Sequence, residues 1–154
     1  MSSLVINTTL GSIRLALRPD AAPVTAEHIS KLVKSNLFTN VKFYRSDFVI
    51  QTGLYGTSIQ NPHPNLRLNE TSSHTLLSNT RGTCAVAHHD VPDNGNSEFF
   101  INLQPNTHLD TAYGGYCVFA KIDERDDESF EVVDKIAKSV AGGQQVDVAS
   151  MAIE

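Results

Sequence analysis

The chain has 154 residues, 40% of them hydrophobic and 19% charged, with 9 Gly, 6 Pro, 2 Cys and no Trp. This is the length of a single domain, 1–154, which buries roughly 70% of the surface its unfolded chain exposes and needs no disulfide or metal to complete a core. A net charge of −5 argues against a non-specific binder of phosphate backbones, which requires clustered Lys and Arg, so nucleic acid is not an expected partner.

The N-terminal text lacks a basic region followed by an apolar run, and no stretch approaches the ~18 apolar residues of a membrane span. Cys84 and Cys117 each lie within apolar text, the setting of small buried hydrophobes. They are expected to be free core thiols in a reducing compartment, although two cysteines are also compatible with one bridge. The expectation is a soluble, cytoplasmic protein without a membrane segment. No exposed apolar seam stands out, so a monomer is expected.

Residues 4–7 and 12–17 flank a turn, and Ile13, Leu15 and Leu17 recur at period two, which predicts an opening hairpin with one buried face. From Pro23 the period changes. Pro suits the first helical position, Glu27 suits the positive end of the dipole, and Ile29, Leu32 and Val33 form a stripe, predicting a helix that ends near Asn36. Residues 43–53 have strand composition interrupted by Ser46-Asp47, so they form either two short strands or one bent strand.

Residues 54–79 are polar and hold two prolines, predicting a long surface excursion. Strand patches follow at 82–87, 98–103 and 115–122, separated by turn-rich text such as 90–96. A second helix is predicted over 129–140, with Phe130, Val133, Ile136, Ala137 and Val140 on one face and an acidic run at 123–128 read as a solvated loop. Val146, Val148 and residues 151–153 complete a last strand. The layout is mainly β and antiparallel with two helices, and it closes best as a barrel with the helices over its openings.

No P-loop, dinucleotide fingerprint, nucleophile elbow or CxxC pair occurs. His88, His89 and His108 raise the question of a metal site. Adjacent residues on a strand point to opposite faces, so His88 and His89 do not readily share one ion, and no metal is expected.

Two segments carry more information: Phe43-Tyr44-Arg45-Ser46-Asp47-Phe48-Val49-Ile50-Gln51-Thr52-Gly53 and Ser97-Glu98-Phe99-Phe100-Ile101-Asn102. They resemble the two signatures of the cyclophilins, a class of peptidyl-prolyl cis-trans isomerases. The resemblance continues, in family order, through Asn79-Thr80-Arg81-Gly82-Thr83, Leu109-Asp110 and residues 115–121, and is nearest to single-domain bacterial-type members. It implies a closed eight-stranded antiparallel β-barrel capped by two α-helices, acting on Pro-containing peptides and folding proteins without a cofactor.

The resemblance also implies the site. Arg45, Phe48 and Gln51 would be catalytic, with Val49, Ala87, His88, Phe100, His108, Leu109 and Tyr116 binding substrate. Prolyl isomerisation crosses a barrier of about 18–20 kcal/mol set by amide resonance, and no covalent bond is made or broken. Twisting the amide localises the lone pair on the prolyl nitrogen, so a guanidinium aimed there stabilises the twisted state over the planar one. Arg45 stands at that position. The proline ring would lie among Phe48, Val49, Phe100 and Leu109, and the main chain at His88 would pair with the extended peptide.

The chain also departs from the family pattern. Two residues separate Arg45 from Phe48 where four are usual, Asp47 is placed to pair with Arg45, and Glu98 replaces a customary Gln, where it either holds Arg45 or competes for it. His108 replaces the tryptophan that bonds cyclosporin A in the best-known eukaryotic members, which implies weakened affinity for that ligand. Tyr116 replaces a frequent histidine. The alternative to an active isomerase is a catalytically weak module of the same fold that binds Pro-containing peptides.

Overall fold

Period-two alternation builds the first pair of strands. In a computed structural model that describes residues 2–66, 68–72, 77–88 and 95–154, β1 (Ser3–Thr8) and β2 (Gly11–Leu17) pair antiparallel, and Leu4, Ile6, Ile13 and Leu15 are wholly buried. The expected hairpin is present, one residue longer at each end of β1 and at the start of β2.

The remaining strands are β3 (Val41–Ser46), β4 (Val49–Gly53), β5 (Thr83–Val86), β6 (Phe99–Asn102), β7 (Val118–Lys121) and β8 (Val146–Ile153). They close into a barrel in the order β1-β2-β7-β5-β6-β4-β3-β8, with antiparallel pairing throughout. Closure removes free sheet edges, the feature that otherwise invites strand-to-strand aggregation. Residues 43–53 fall in two strands, and the break lies one residue later than expected, at Asp47-Phe48, the tip of their hairpin, with Ser46 still paired to Ile50.

Helix α1 (Pro23–Lys34) starts with Pro at its first position and buries Ala26, Ile29, Leu32 and Val33, packing against β7 and β8. Asn36 follows it with φ +58°, the left-handed conformation that ends helices and that Asn tolerates. Glu27 does not lie in the first turn, and the dipole is met differently. The carboxylate of Glu70 accepts the Val24 and Thr25 N–H groups. Residues 54–79 are therefore more than a surface excursion, because Leu54, Leu66, Glu70 and Asn79 within them are buried.

Helix α2 (Asp127–Ala141) begins two residues before the expected start. Asp126 is its cap, accepting the Ser129 N–H at 3.1 Å and the Ser129 hydroxyl at 2.6 Å, so part of the acidic run is built into the helix N-terminus. Its most buried apolar residues are Val132, Val133 and Ile136, with Phe130, Ala137 and Val140 half-buried beside them. One large cluster joins both helices to Phe43, Ile50, Cys84, Val86, Phe99 and Ile101. Cys84 and Cys117 are free thiols, and burial pushes Cys84 far up and Cys117, also near the Glu70 charge, up to about 12. Among the described residues no helix is long and apolar enough to cross a membrane.

Candidate active site

The same alternation that fills the barrel places a second set of side chains in a separate cluster. Val49, Ala85, Phe100 and Leu109 pack there with Phe48, Ala87 and Tyr116, while their neighbours Ile50, Cys84, Val86, Phe99 and Ile101 belong to the main core. β4, β5 and β6 consequently carry apolar side chains on both faces, and this second face, with Gln51 of β4 on it, lines a cleft of about 580 Å³. Arg45, Phe48, Val49, Gln51, Ala87, Phe100, His108, Leu109 and Tyr116 all border it.

His88 does not. Its imidazole is buried, stacked on Tyr116 at 4.1 Å between centroids, and its Nε2 lies 2.7 Å from the Gly115 carbonyl oxygen. The side chain thus serves as packing behind Tyr116 rather than as groove lining, as its position next to cleft-facing Ala87 on an extended chain requires. His89 and residues 90–94 of the expected turn lie outside the described residues. His108 is exposed and sets its ring edge-on to Phe48 at 5.4 Å. Among the described residues no group of three His, Cys, Asp or Glu side chains could hold a metal ion.

A register shift in β3 brings Arg45 to the cleft. Phe43 pairs with Thr52 and Arg45 with Gln51, so Tyr44 is the extra residue of a bulge, and Tyr44 and Arg45 both reach Gln51. Arg45 Nη1 donates to Gln51 Oε1 at 3.0 Å and Nε donates to Asp47 Oδ2 at 2.9 Å. The guanidinium carbon lies 5.4 Å from the centre of the Phe48 ring. Asp47 does pair with Arg45, but it grips Nε and leaves the guanidinium on the cleft wall. Among the described residues nothing accepts from Nη2.

The hairpin tip is itself ordered by Asp47. Its carboxylate accepts the Val49 N–H at 3.2 Å, and its own N–H donates to the Val49 carbonyl at 3.0 Å. Phe48 is held from behind, since its carbonyl accepts from Leu103 N at 3.1 Å and from Asn106 Nδ2 at 2.9 Å. Asn106 in turn donates to Asn102, and Asn102 to Asn79.

Asn79 donates from backbone and side chain to Asp110, the last residue of the helical turn Thr107–Asp110 that carries His108 and Leu109. Burial alone would raise the Asp110 carboxyl, but the Ser78 hydroxyl and the two Asn79 donors outweigh it and hold it below its ordinary value. The family-like wording contains Asn79 and Asn102 but not Asn106, and the support all three give the cleft wall is visible only in the fold. Ala112 and Tyr113, which also border the cleft, were not anticipated; Tyr113 is exposed, with φ +50°.

The family model for the cyclophilin type peptidyl-prolyl cis-trans isomerase domain matches residues 3–154. The chain belongs to the cyclophilin-type family. A peptidyl-prolyl cis-trans isomerase of Acinetobacter baylyi is 35% identical over 136 residues, covering 86% of this chain and 70% of that one. Peptidyl-prolyl cis-trans isomerase B of Escherichia coli is 30% identical over 148 residues, covering 92% and 87%. A Cryptosporidium parvum cyclophilin-type isomerase, crystallised in the presence of the dipeptide Ala-Pro, superposes with a TM-score of 0.79 at 20% identity, covering 99% and 98% of the two chains. That last likeness is one of fold, and it agrees with the closed barrel and two helices expected from the sequence.

Within this cyclophilin frame Glu98 does not bond Arg45 directly. Its carboxylate accepts from the Tyr44 hydroxyl, the Ser97 hydroxyl and the N–H groups of Leu54 and Tyr55.

Proposed function

We propose that in this peptidyl-prolyl cis-trans isomerase of the cyclophilin type Arg45 stabilises the twisted amide of an X-Pro bond. The observation that carries the role of Arg45 is its position: the guanidinium borders the same cleft as Phe48, Phe100 and Leu109 and keeps Nη2 uncommitted among the described residues. A proline ring seated on that apolar floor would bring its nitrogen under the cation. Gln51 accepts from Nη1 and steadies the fork, while Val49, Ala87, His108 and Tyr116 bound the space for the flanking residues. A hydrogen bond that strengthens only as the nitrogen pyramidalises lowers the barrier without any covalent step.

Substrates on this reading are Pro-containing peptides and folding chains, whose uncatalysed isomerisation lasts tens of seconds. A single 1–154 domain working as a cytoplasmic monomer, without nucleic-acid or membrane partners, fits the acidic charge. Cyclosporin A would bind with weakened affinity, since the His108 imidazole is shorter than an indole.

The Asp47–Arg45 ion pair favours a second reading, a peptide-binding module with poor turnover. A protease-coupled assay of the protein on an Ala-Pro-Phe reporter peptide separates the two. Acceleration of the slow phase supports the enzyme; retained peptide binding without acceleration selects the module.

A further inference from the structure

Four side chains form one directed line from Arg45 in the cleft to Glu98, which lies against the chain just after β4. Arg45 Nη1 donates to Gln51 Oε1 at 3.0 Å, Gln51 Nε2 donates to the Tyr44 hydroxyl at 2.9 Å, and that hydroxyl donates to Glu98 Oε1 at 2.8 Å. The direction has no freedom. A guanidinium only donates, so Gln51 must turn its oxygen toward Arg45 and its NH₂ toward Tyr44. The Tyr44 oxygen then accepts, and its single proton must go onward to a group that accepts. Both ends are chemically unambiguous, so the Gln51 amide orientation follows from its neighbours.

The terminus is built for an ionised acid. Glu98 Oε1 also accepts the Tyr55 N–H at 3.2 Å, and Oε2 accepts the Leu54 N–H at 3.0 Å and the Ser97 hydroxyl at 2.6 Å. Four donors converge on two oxygens. An amide in this place has one oxygen for two clusters of donors, and its NH₂ would face either N–H groups or the Tyr44 proton. Gly53 makes the seat, because a Cβ there would fall 2.4 Å from the carboxylate. Burial, then the bond and charge of Glu98, holds the Tyr44 phenol well above its usual range, so its proton stays available to the line.

We propose that Tyr44 and Glu98 are positioning residues for Arg45: the Glu98 carboxylate fixes the direction of the line and thereby the Gln51 oxygen that aims the guanidinium into the cleft. This rests on the reading of Arg45 as the catalytic donor. The Asp47 contact to Nε acts on the other side of the same guanidinium, so the two acceptors set its plane together.

The test uses Tyr44→Phe, which removes the hydroxyl at nearly unchanged shape, together with Glu98→Gln, each made also in the Arg45→Ala background. Isomerase kcat and KM are measured on a Pro-containing peptide, and the Arg45 side-chain ¹⁵N signals are followed by NMR in the peptide-free protein. The expected result is a kcat lower by roughly tenfold in Tyr44→Phe with KM little changed, the size of a small misplacement of one aimed group. The Arg45 signals should shift and broaden, and no further loss should occur once Arg45 is Ala.

Unchanged kcat and unchanged Arg45 signals in Tyr44→Phe overturn the proposal, as does an equal loss in the Arg45→Ala background, which marks a merely structural effect. If Glu98→Gln fails to fold, Tyr44→Phe decides alone. If the parent protein shows no turnover, the catalytic reading falls, and the NMR signals still show whether the line holds the guanidinium.

Discussion

Glu70 caps helix α1 from 45 residues away: its carboxylate accepts the Thr25 N–H and hydroxyl, each at 2.6 Å, and the Val24 N–H at 3.1 Å. The residue is 1% exposed, so an anion is buried against the positive end of a helix dipole with its donors supplied locally. The contact also ties the chain leading to the cleft wall onto α1, since Thr71 and Asn69 beside Glu70 bond the carbonyls of Gly114 and Gly115.

Replacing Glu70 by Ala should therefore cost about 1–3 kcal/mol, because the Thr25 N–H and hydroxyl are left buried without this acceptor and the part-buried Val24 N–H also loses it. Glu70→Gln should fall between, since an amide has one oxygen for these donors. The midpoint of urea unfolding measures both; a parent-like midpoint in Glu70→Ala would remove the cap from the stability of the fold.

Asp110 offers a pH test. Its folded carboxyl is held below the ordinary value, so its contribution to stability is fully present above the unfolded carboxylate pKa and disappears as pH falls through the lower, folded one. Asp110→Asn should accordingly be less stable than the parent at about pH 7, with the gap closing toward about pH 2. Unfolding curves at both pH values check this, and a gap that persists unchanged at the acid end would mean that shape, not charge, matters there.

His108 sits exposed at the cleft edge, ring edge-on to Phe48. His108→Trp should tighten cyclosporin A binding by restoring a longer ring with an N–H donor, a change of about 1–2 kcal/mol or roughly tenfold in Kd. Calorimetric titration of both proteins measures it, and an already tight parent complex would show that the indole is dispensable in this chain.

Local patterns made most of the barrel legible. Period-two alternation in 12–17, and β-rich runs between turns at 82–87 and 98–103, depend only on neighbours in sequence, and these strands appear within a residue or two of expectation. The cleft residues were legible through the resemblance, since Phe48, Phe100 and Leu109 alone read as ordinary core. What escaped were contacts between distant segments. A polar stretch gave no sign that Glu70 would meet a helix N-terminus, and Glu98 was judged against Arg45 because the bulge that inserts Tyr44 between them has no local signature. The resemblance implies a groove-lining His88, whereas its ring turns back onto Tyr116.

The most direct measurement is the isomerisation rate of an X-Pro peptide bond on Arg45→Ala, followed by NMR exchange alongside peptide affinity. If Arg45 supplies the aimed donor, turnover should fall by about 10²- to 10³-fold while affinity changes by only a few-fold, as for loss of one preorganised donor at a developing charge. An Arg45→Ala protein that isomerises the peptide as fast as the parent would contradict it.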